Sequence, residues 1–588
     1  MKAMLTTLNS KFIHSNLAIR YLSGYVKDIM DMEVCEFTIN QNIDFIVAEI
    51  YKSNPDIIGF STYIWNLRET LMICDILKNV KPNIITVLGG PEVSFDGEEL
   101  MRDNPYIDFI IYGEGEETFR EFIQHIVKKE EDFSNIPGLI LRNEDKIIKN
   151  RDRKLIENLN KIPSPYRDIG DEFKDRIVYY ESSRGCPFNC KFCLSSSIKG
   201  VRYFDIERVK KDLICLIEGK VRQVKFVDRT FNANKRYAME IMDFIMEKDP
   251  KNINFHFEVT AHLLDEDMLK FLEKAKEGLF QFEIGVQSTN DMTIEAVGRI
   301  TDFERLSKVV KKIKSGKNIH QHLDLIAGLP YEDYNTFKDS FNDVYALRPE
   351  KLQLGFLKLL KGSSLRADRD KYGYKYIDEP PYEVLENNFI SYGDMIRLKG
   401  IEEMVEKYYN EGYFQHTLEF IIVNYYREPF EFYEDLSIYW ETKDYHKVAH
   451  SRNNLYSILK DFIEYKNYEH GLIINNLLKY DYIYHNKRPK LPAKLEVSKE
   501  HRLQKNIHDI LKDERILSDY LPEYRDMPTK KLINLVSVES FDIDILKLIE
   551  GGYRAEEYGR RYILFKHRDG VMNRCTAMDI TKIVKEMI

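Results

Sequence analysis

Short apolar runs alternate with longer amphipathic segments through the first 130 residues. Each apolar run has the length of a β-strand, and each intervening segment repeats its apolar residues with helical periodicity. The predicted strands are Ala3–Leu8, Glu33–Ile39, Asp56–Ser61, Ile84–Leu88 and Asp108–Tyr112, and helical patterns fall near 15–30, 42–53, 65–80 and 116–129. This alternation predicts a doubly wound parallel sheet of α/β class, which we place in a first domain at 1–135.

The next segment has a different pattern. Residues 138–150 are typical of a hairpin that turns at Asn143-Glu144-Asp145, and Pro163-Ser164-Pro165 is typical of a linker. Proline and small polar residues interrupt both helices and strands. We therefore expect a hairpin and linker at 136–170.

Alternation of strand and helix then resumes six times. The predicted strands are Ile177–Ser182, Gln223–Val227, Asn254–Val259, Gln281–Gly285, His320–Ile326 and Lys351–Phe356. Six such units favour an incomplete (β/α)6 barrel, which we place at 171–365. In barrels of this kind the chemistry lies at the carboxyl ends of the strands.

The pattern changes again after Pro380-Pro381. Residues 382–520 are predominantly helical and rich in tyrosine, and residues 529–588 mix helix with strand-like pieces such as Arg561–His567. We expect a mainly helical α+β domain at 382–588, with no catalytic motif. The basic stretch from Lys487 to Lys505 is either a solvated helix face or a phosphate-binding surface.

Composition narrows the function classes. The 588 residues suffice for several domains, and the formal charge of −9 gives no overall basic field for nucleic acid. No apolar run reaches the length of a membrane span, and the first residues lack the apolar core of a signal peptide. We expect a cytoplasmic protein with no membrane association.

Three of the seven cysteines are closely spaced, at Cys186, Cys190 and Cys193. The odd total argues against a disulfide framework, and the other four cysteines are scattered. Three thiolates suit iron–sulfur or zinc. A structural zinc site needs a fourth ligand, but no histidine lies in the loop and Cys215 is far along a predicted helix. The spacing therefore favours a 4Fe–4S cluster with one open iron, at the end of the first barrel strand.

The cysteine loop, with Phe192 before its last cysteine, resembles the signature of the radical S-adenosylmethionine (SAM) enzymes. Two further segments resemble those that surround SAM in this family, Glu283–Ser288 and Asp324–Pro330. The resemblance covers about 175–360. It implies that a 4Fe–4S cluster held by the three cysteines cleaves SAM reductively to a 5′-deoxyadenosyl radical. It also implies SAM contacts by Phe192, Gln287, Gly328 and Pro330.

One segment departs from the family pattern. Many members carry Gly-Gly-Glu after the second strand, whereas this chain reads Phe226-Val227-Asp228-Arg229-Thr230-Phe231. Asp228 either supplies the missing carboxylate to SAM or caps the next helix. Glu258 and Glu283 are likewise either SAM contacts or barrel-lining acids in salt bridges.

The first domain resembles the cobalamin-binding domain that precedes the barrel in one subclass of this family. Three strand ends carry the resemblance, Ile58–Thr62, Leu88–Glu92 and Tyr112–Glu116. The cobalamin contacts that it implies are Ser61, Thr62, Gly89, Gly90, Gly113 and Gly115. The Asp-x-His-x-x-Gly motif of some cobalamin proteins is absent, and the residues around His14 do not match it. Cobalamin with an open or water-bound lower face is the expectation.

These resemblances imply a cobalamin-dependent radical SAM enzyme that methylates an unactivated carbon. A non-methylating rearrangement, cyclisation or oxidation is an alternative outcome, and so is tRNA modification through the basic stretch. A non-catalytic iron–sulfur or cobalamin sensor is a further alternative, against which the two SAM segments argue. The implied partners are a small-molecule or RNA substrate and an electron donor such as flavodoxin or ferredoxin.

Overall fold

The computed structural model describes residues 1–144, 146–167, 172–198, 200–486, 491–495, 507–554, 558–567 and 575–587. The chain divides into two compact units. The first comprises Met1–Gln321, Ile326–Asp333 and Gly355–Ser391, and the second comprises His322–Leu325, Tyr334–Leu354 and Tyr392–Ile588. Among the described residues, no helix is both long enough and apolar enough to cross a membrane.

The first unit opens with a seven-stranded sheet in the order β2-β1-β3-β4-β5-β6-β7. Strands β1 to β5 pair in parallel, as predicted. The strands are β1 (Ala3–Asn9), β2 (Met32–Thr38), β3 (Ile57–Ser61), β4 (Ile85–Gly89), β5 (Phe109–Ile111), β6 (Leu139–Asn143) and β7 (Lys146–Lys149). The helices are α1 (Leu17–Val26), α2 (Ile43–Ser53), α3 (Leu67–Val80), α4 (Gly97–Asp103) and α5 (Gly115–Lys128).

Both faces of this sheet are apolar because helices cover both of them. Every residue of β1 is buried. Met4 and Leu8 belong to the core on one face, whereas Ala3 and Leu5 belong to the core on the other. Burial on both sides is what a parallel sheet requires. The predicted hairpin, β6–β7, pairs antiparallel with β5 and so extends this sheet rather than standing apart from it.

A second sheet has six strands in the order β15-β14-β13-β12-β11-β8, which confirms the predicted six-strand pattern. A separate two-stranded hairpin, β9–β10, follows β8. The strands are β8 (Ile177–Tyr180), β9 (Ser183–Cys186), β10 (Gly200–Tyr203), β11 (Gln223–Phe226), β12 (Asn254–Glu258), β13 (Phe280–Gln287), β14 (His320–Ala327) and β15 (Lys351–Phe356). The helices are α6 (Ile206–Glu218), α7 (Lys235–Lys248), α8 (Glu266–Leu272), α9 (Asp291–Ala296), α10 (Phe303–Gly316) and α11 (Tyr334–Tyr345).

The rest of the chain is mainly helical, as predicted. Its helices are α12 (Ser364–Ala367), α13 (Arg369–Tyr372), α14 (Tyr392–Met404), α15 (Gln415–Tyr425), α16 (Pro429–Thr442), α17 (Arg452–Lys466), α18 (Gly471–His485), α19 (Ile507–Ile510), α20 (Glu514–Asp519), α21 (Thr529–Leu532), α22 (Ile545–Glu550) and α23 (Thr581–Met587). Its strands are β16 (Lys375–Tyr376), β17 (Val384–Glu386), β18 (Val536–Ile543), β19 (Tyr558–His567) and β20 (Cys575–Asp579). Strands β18 to β20 form one antiparallel sheet. This α+β composition agrees with the predicted fold class.

Polar contacts inside the second unit hold helices together. Asp481 of α18 accepts hydrogen bonds from the backbone nitrogens of His416 and Thr417, at 3.2 and 2.8 Å, at the start of α15. Burial raises the pKa of Asp481 to about 7. Most of the basic stretch from Lys487 to Lys505 lies outside the described residues, although Lys494 is described and pairs with Asp461 at 2.5 Å.

Candidate cofactor site

The first barrel strand does not lead directly into the cysteines. Cys186 is instead the last residue of β9, and β9 pairs antiparallel with β10. Gly185 makes this pairing possible, since its φ is +101° and a Cβ at that position would lie 2.1 Å from the carbonyl oxygen of Gly200. We call β9 and β10 together the cysteine hairpin, and residues 186–193 the cysteine loop.

Distant parts of the chain tie the cysteine loop in place. The backbone nitrogen of Lys191 donates to the carbonyl of Val297 at 2.9 Å, and the Lys191 carbonyl accepts from Leu365 at 2.9 Å. The Phe188 ring packs edge-on against His262, with centroids 5.5 Å apart. Protein contacts therefore help to define the shape of the loop.

The three thiols have different environments. Cys190 is 7% exposed, and its Sγ accepts a hydrogen bond from Nη1 of Arg299 at 3.7 Å. Burial raises the pKa of the Cys190 thiol, and the Arg299 charge opposes that increase. The Sγ of Cys186 lies 3.5 Å from the hydroxyl of Thr230, whereas Cys193 is half-buried.

The three thiols offer the donor set of an iron–sulfur cluster. Among the described residues, no three His, Cys, Asp or Glu side chains converge tightly enough to hold one metal ion. A 4Fe–4S cluster does not need such convergence, because each cysteine ligates a different iron. Three thiols on one short, fixed loop fit three irons and leave the fourth for a further ligand.

Asp228 contacts the start of the cysteine hairpin. Asp228 is 1% exposed and accepts hydrogen bonds from the backbone nitrogen and hydroxyl of Ser182, at 3.0 and 2.6 Å, and from the hydroxyl of Ser183 at 2.5 Å. Burial raises the pKa of Asp228 despite these donors. Both carboxylate oxygens are thus engaged by protein, at the point where β8 leads into β9. The cap on the following helix is instead Asn234, which accepts from the backbone nitrogen of Tyr237 at 3.2 Å, and contact of Asp228 with SAM stays a prediction.

The two barrel glutamates also differ from each other. Glu283 pairs with Lys225 at 3.1 Å and with Nε2 of His256 at 2.9 Å. Burial opposes its ionisation, but these two partners outweigh burial and lower the pKa of Glu283 to about 2. Burial raises the pKa of Glu258 even though Arg229 lies nearby. Glu283 therefore takes part in salt bridges, whereas burial outweighs the nearby charges at Glu258, and contact of either carboxylate with SAM stays a prediction.

The remaining predicted SAM residues lie at strand ends. The Oε1 atom of Gln287, at the end of β13, is buried and has no hydrogen-bond partner in the described part of the chain. Gly328 has a φ of +91°, and its carbonyl accepts from Tyr374 at 3.1 Å and Asn387 at 2.9 Å. Pro330 is buried, and Phe192 is half-buried in the cysteine loop. The unused Gln287 oxygen fits a polar ligand such as SAM.

The carboxyl edge of the seven-stranded sheet carries the predicted cobalamin residues. Ser61 is 6% exposed, and its hydroxyl has no hydrogen-bond partner among the residues described. Thr62 donates its backbone N–H to the carbonyl of Gly89 at 2.7 Å. Gly113 has a φ of +77° with nothing within 4 Å of the position of a Cβ, so its surface is open. An orphaned hydroxyl and open backbone at the same carboxyl edge, on either side of β4, fit a large polar ligand such as cobalamin.

One glycine of this edge, Gly90, serves the packing of the protein itself, whereas Gly115 does not. Gly90 has a φ of +115°, and a Cβ there would lie 2.4 Å from the carbonyl oxygen of Thr62. Gly115 would place a Cβ 3.5 Å from Ile111 and Leu22, which is ordinary contact. The adjoining Glu92 carboxylate is buried and accepts a hydrogen bond from Tyr382. Gly90 therefore joins the ends of β3 and β4, whatever else it contacts.

Three family models match parts of this chain. Residues 4–123 match the family model described as a B12 binding domain, and residues 180–344 match the radical SAM superfamily. Residues 370–565 match a family described as a protein of unknown function, DUF4080. The uncharacterized methyltransferase PH0819 of Pyrococcus horikoshii is 30% identical over 327 residues, which are 54% of this chain and 70% of that protein.

The chain belongs to the cobalamin-binding radical SAM enzymes. The cofactors of this radical SAM enzyme are a 4Fe–4S cluster, SAM and cobalamin. The cobalamin-dependent radical SAM methyltransferase TokK of Streptomyces tokunonensis is 26% identical over 365 residues, 58% of this chain and 53% of TokK. The chain thus spans only about half the length of that relative.

A solved structure shares the fold of this radical SAM enzyme. The cobalamin-dependent SAM radical enzyme OxsB, with aqua-cobalamin and SAM bound, superposes with a TM-score of 0.57 at 18% identity. The match covers 81% of this chain and 78% of OxsB. The likeness confirms the α/β architecture that the sequence predicts.

Sequence reasoning missed several residues that lie beside the predicted site residues of this radical SAM enzyme. Arg299 follows α9 and contacts the cysteine loop only through folding, so no local motif marks it. Tyr63 and Trp65 stack with centroids 4.3 Å apart just beyond Ser61, and Trp65 is 43% exposed. The rarity of tryptophan, with two in the whole chain, was the sequence signal available for Trp65.

His14 belongs to the contact between sheet and barrel. Its Nδ1 lies 3.0 Å from the hydroxyl of Tyr179 on β8. Burial, together with Lys11 and Lys225, lowers the pKa of His14. The neutral imidazole is thus the favoured form near neutral pH, already hydrogen-bonded to the barrel.

Proposed function

We propose that this radical SAM enzyme transfers a methyl group to an unactivated carbon. The observation that carries the proposal is the joint presence, in one compact unit, of the fixed three-cysteine loop and the open sheet edge with its orphaned Ser61 hydroxyl. The relatives PH0819 and TokK are both named methyltransferases, and the name of TokK states a dependence on cobalamin. Those two names support methylation as the outcome.

We assign the residues of the site as follows. Cys186, Cys190 and Cys193 would hold the cluster, and Phe192, Gln287, Gly328 and Pro330 would contact SAM. Ser61, Thr62, Gly89, Gly113 and Gly115 would contact cobalamin. When bound, the reduced cluster supplies the electron that cleaves SAM, and methylated cobalamin supplies the methyl group. A reduced flavodoxin or ferredoxin in the cytoplasm would deliver that electron.

The protein's own contribution is binding, orientation and charge. Arg299 places a cation against Cys190, where the ligated cluster carries negative charge. Asp228 fixes the start of the cysteine hairpin through Ser182 and Ser183. Burial raises the pKa of the Glu258 carboxyl, which makes it the barrel acid that holds a proton more readily than an exposed glutamate does. Gln287 offers an unused acceptor to the amino group of SAM.

Product analysis tests methylation directly. The protein is purified anaerobically with cobalamin, reduced, and incubated with SAM and a cell extract from which small molecules and RNA are fractionated. We expect S-adenosylhomocysteine together with 5′-deoxyadenosine, in about equal amounts for each methyl group transferred. The methylated substrate should gain about 14 mass units. 5′-Deoxyadenosine alone would argue for a rearrangement, cyclisation or oxidation. If iron-replete protein forms neither of these two products, radical chemistry is contradicted.

RNA fractions provide the test of the tRNA alternative. Binding through phosphates weakens steeply as salt increases, because counterions are released. If methylation is confined to the RNA fraction and falls by tenfold or more between 50 and 200 mM salt (about the range expected for phosphate contacts), RNA is the substrate class. Methylation confined to the small-molecule fraction would exclude RNA as the substrate class.

A further inference from the structure

The cysteine hairpin contains an electrostatic conflict of its own. Arg184 on β9 lies directly opposite Arg202 on β10 in the strand register. Like charges in directly opposed positions destabilise a strand pair. A two-stranded hairpin is also only marginally stable in isolation. The strand that carries Cys186 therefore needs a counter-charge from elsewhere in the chain.

Two glutamates supply that counter-charge, and both follow β5 of the seven-stranded sheet. The Glu114 carboxylate accepts two hydrogen bonds from Arg202, at 2.6 and 3.1 Å, and lies 3.6 Å from Arg184. Glu116 accepts from Nη2 of Arg184 at 2.5 Å. Glu181 completes the group, 2.9 Å from Nε of Arg184. We call these five side chains the acid–arginine cluster.

The cluster is largely removed from water. Side-chain exposures are 11% for Glu114, 7% for Glu116 and 12% for Arg184. At such burial a charge without its partner is strongly unfavourable, so removing one member disrupts the others. Glu114 is further fixed by the backbone nitrogen of Ile156 at 2.8 Å. These contacts make the acidic segment part of the wall that supports the hairpin.

We propose that Glu114 and Glu116 are positioning residues that hold the cysteine hairpin in the geometry needed for cluster assembly. The proposal rests on the proposed function in one respect, the role of Cys186 as a cluster ligand. It gives the Tyr112–Glu116 segment a second task beside the predicted cobalamin contacts of Gly113 and Gly115. The domain that binds cobalamin thereby also builds the cluster site.

Charge exchange in the full-length chain tests this role. The variants are Glu114→Arg, Arg202→Glu and the double variant Glu114→Arg/Arg202→Glu. Arg153→Met is the matched control, since Arg153 is 10% exposed and pairs with Glu117 and Glu121 on α5 without contacting the hairpin. Amide hydrogen exchange at residues 183–186 and 200–203 reports the hairpin in protein without iron. The electron paramagnetic resonance signal of the reduced cluster reports the assembled site.

We expect hydrogen exchange in the hairpin to accelerate at least tenfold in each single variant, and the cluster signal to fall at least fivefold. The double variant should recover both to within twofold of the parent, and Arg153→Met should leave both within twofold. Unchanged exchange in the single variants, or no recovery in the double variant, overturns the proposal. A recovery of this kind distinguishes charge pairing from general destabilisation.

A milder variant covers the case in which the exchanged variants do not fold. Glu116→Gln preserves shape and removes one charge, and we expect hairpin exchange to accelerate about threefold, with cobalamin retained. Parental exchange in Glu116→Gln would overturn the proposal on its own. A parent protein that binds no iron would contradict the proposed function, while the exchange measurements would still decide the role of Glu114 and Glu116.

Discussion

The cysteine loop and the carboxyl edge of the seven-stranded sheet lie in the same unit but are prepared for their ligands in opposite ways. The loop is held by backbone hydrogen bonds to Val297 and Leu365 and by the Arg299 side chain. The sheet edge instead leaves the Ser61 hydroxyl unused and the surface beside Gly113 open. A cluster needs thiolates at fixed positions, whereas a large ligand can itself satisfy polar groups along an open edge.

Among the variants that test this difference, replacement of one cysteine should have the largest effect, on the cluster and on SAM cleavage. In Cys190→Ala one iron loses its thiolate, so we expect loss of the cluster absorbance and of SAM cleavage, with cobalamin binding retained. Iron content and visible spectra of anaerobically prepared protein measure this. Cys215→Ala in α6 is the control and should keep the cluster. Parental iron content in Cys190→Ala would exclude Cys190 as a ligand.

Replacing Gly90 should damage the sheet edge next most severely. A non-glycine residue at positive φ costs about 1–2 kcal/mol, and the close approach of a Cβ to Thr62 adds to that cost. We expect Gly90→Ala to lose about 3 kcal/mol or more of unfolding free energy. Gly113→Ala has the same kind of φ but no close neighbour, so it should lose only about 1 kcal/mol. Equal losses in denaturant titrations would contradict the packing role of Gly90.

The Ser61 hydroxyl should matter only when cobalamin is present. Ser61→Ala removes a buried hydroxyl that has no described partner, so the stability of the cobalamin-free protein should stay the same or rise by about 1 kcal/mol. Cobalamin at a hundred times its dissociation constant should stabilise the parent by about 2.7 kcal/mol. In Ser61→Ala this gain should shrink by about 1 kcal/mol, or about fivefold in affinity. An unchanged gain would remove Ser61 from the cobalamin site.

Arg299 offers the finest test of the cysteine loop. A guanidinium hydrogen-bonded to a ligand sulfur favours the more negative, reduced cluster. Arg299→Met should therefore lower the midpoint potential of the cluster while leaving iron content near the parental level. Arg305→Met, at an exposed position on α10, is the control and should leave the potential unchanged. A changed SAM affinity with a parental potential would instead assign Arg299 to SAM.

The elements that the sequence predicts well are those with continuous local signals. All six predicted barrel strands appear, and their ends shift by no more than two residues, because strands covered by helices read as apolar runs. The cysteine hairpin was missed, since β9 and β10 contain arginines whose partners, Glu114 and Glu116, lie 68 or more residues away. Pairing at that distance leaves no pattern in a local window.

The site shows the same limit at single residues. The cysteine spacing predicts the loop because its geometry is local. The surroundings of Asp228 depend on Ser182 and Ser183, 46 and 45 residues away, so its role could not be read from the strand that it follows. The sequence predicts Gly90 as a cobalamin contact, and the structure adds a close approach to the backbone of Thr62 that no local pattern shows. A glycine in a sequence does not reveal which close approach it permits.

The hairpin β6–β7, at one edge of the seven-stranded sheet, also affects the tendency of the protein to aggregate. Strand β7 reads Lys-Ile-Ile-Lys, and Lys146 and Lys149 are both exposed along the outer edge. Lysines on an edge strand oppose the addition of a strand from another chain. The extension therefore closes off the one side of the sheet where β5 would otherwise offer its backbone to aggregation.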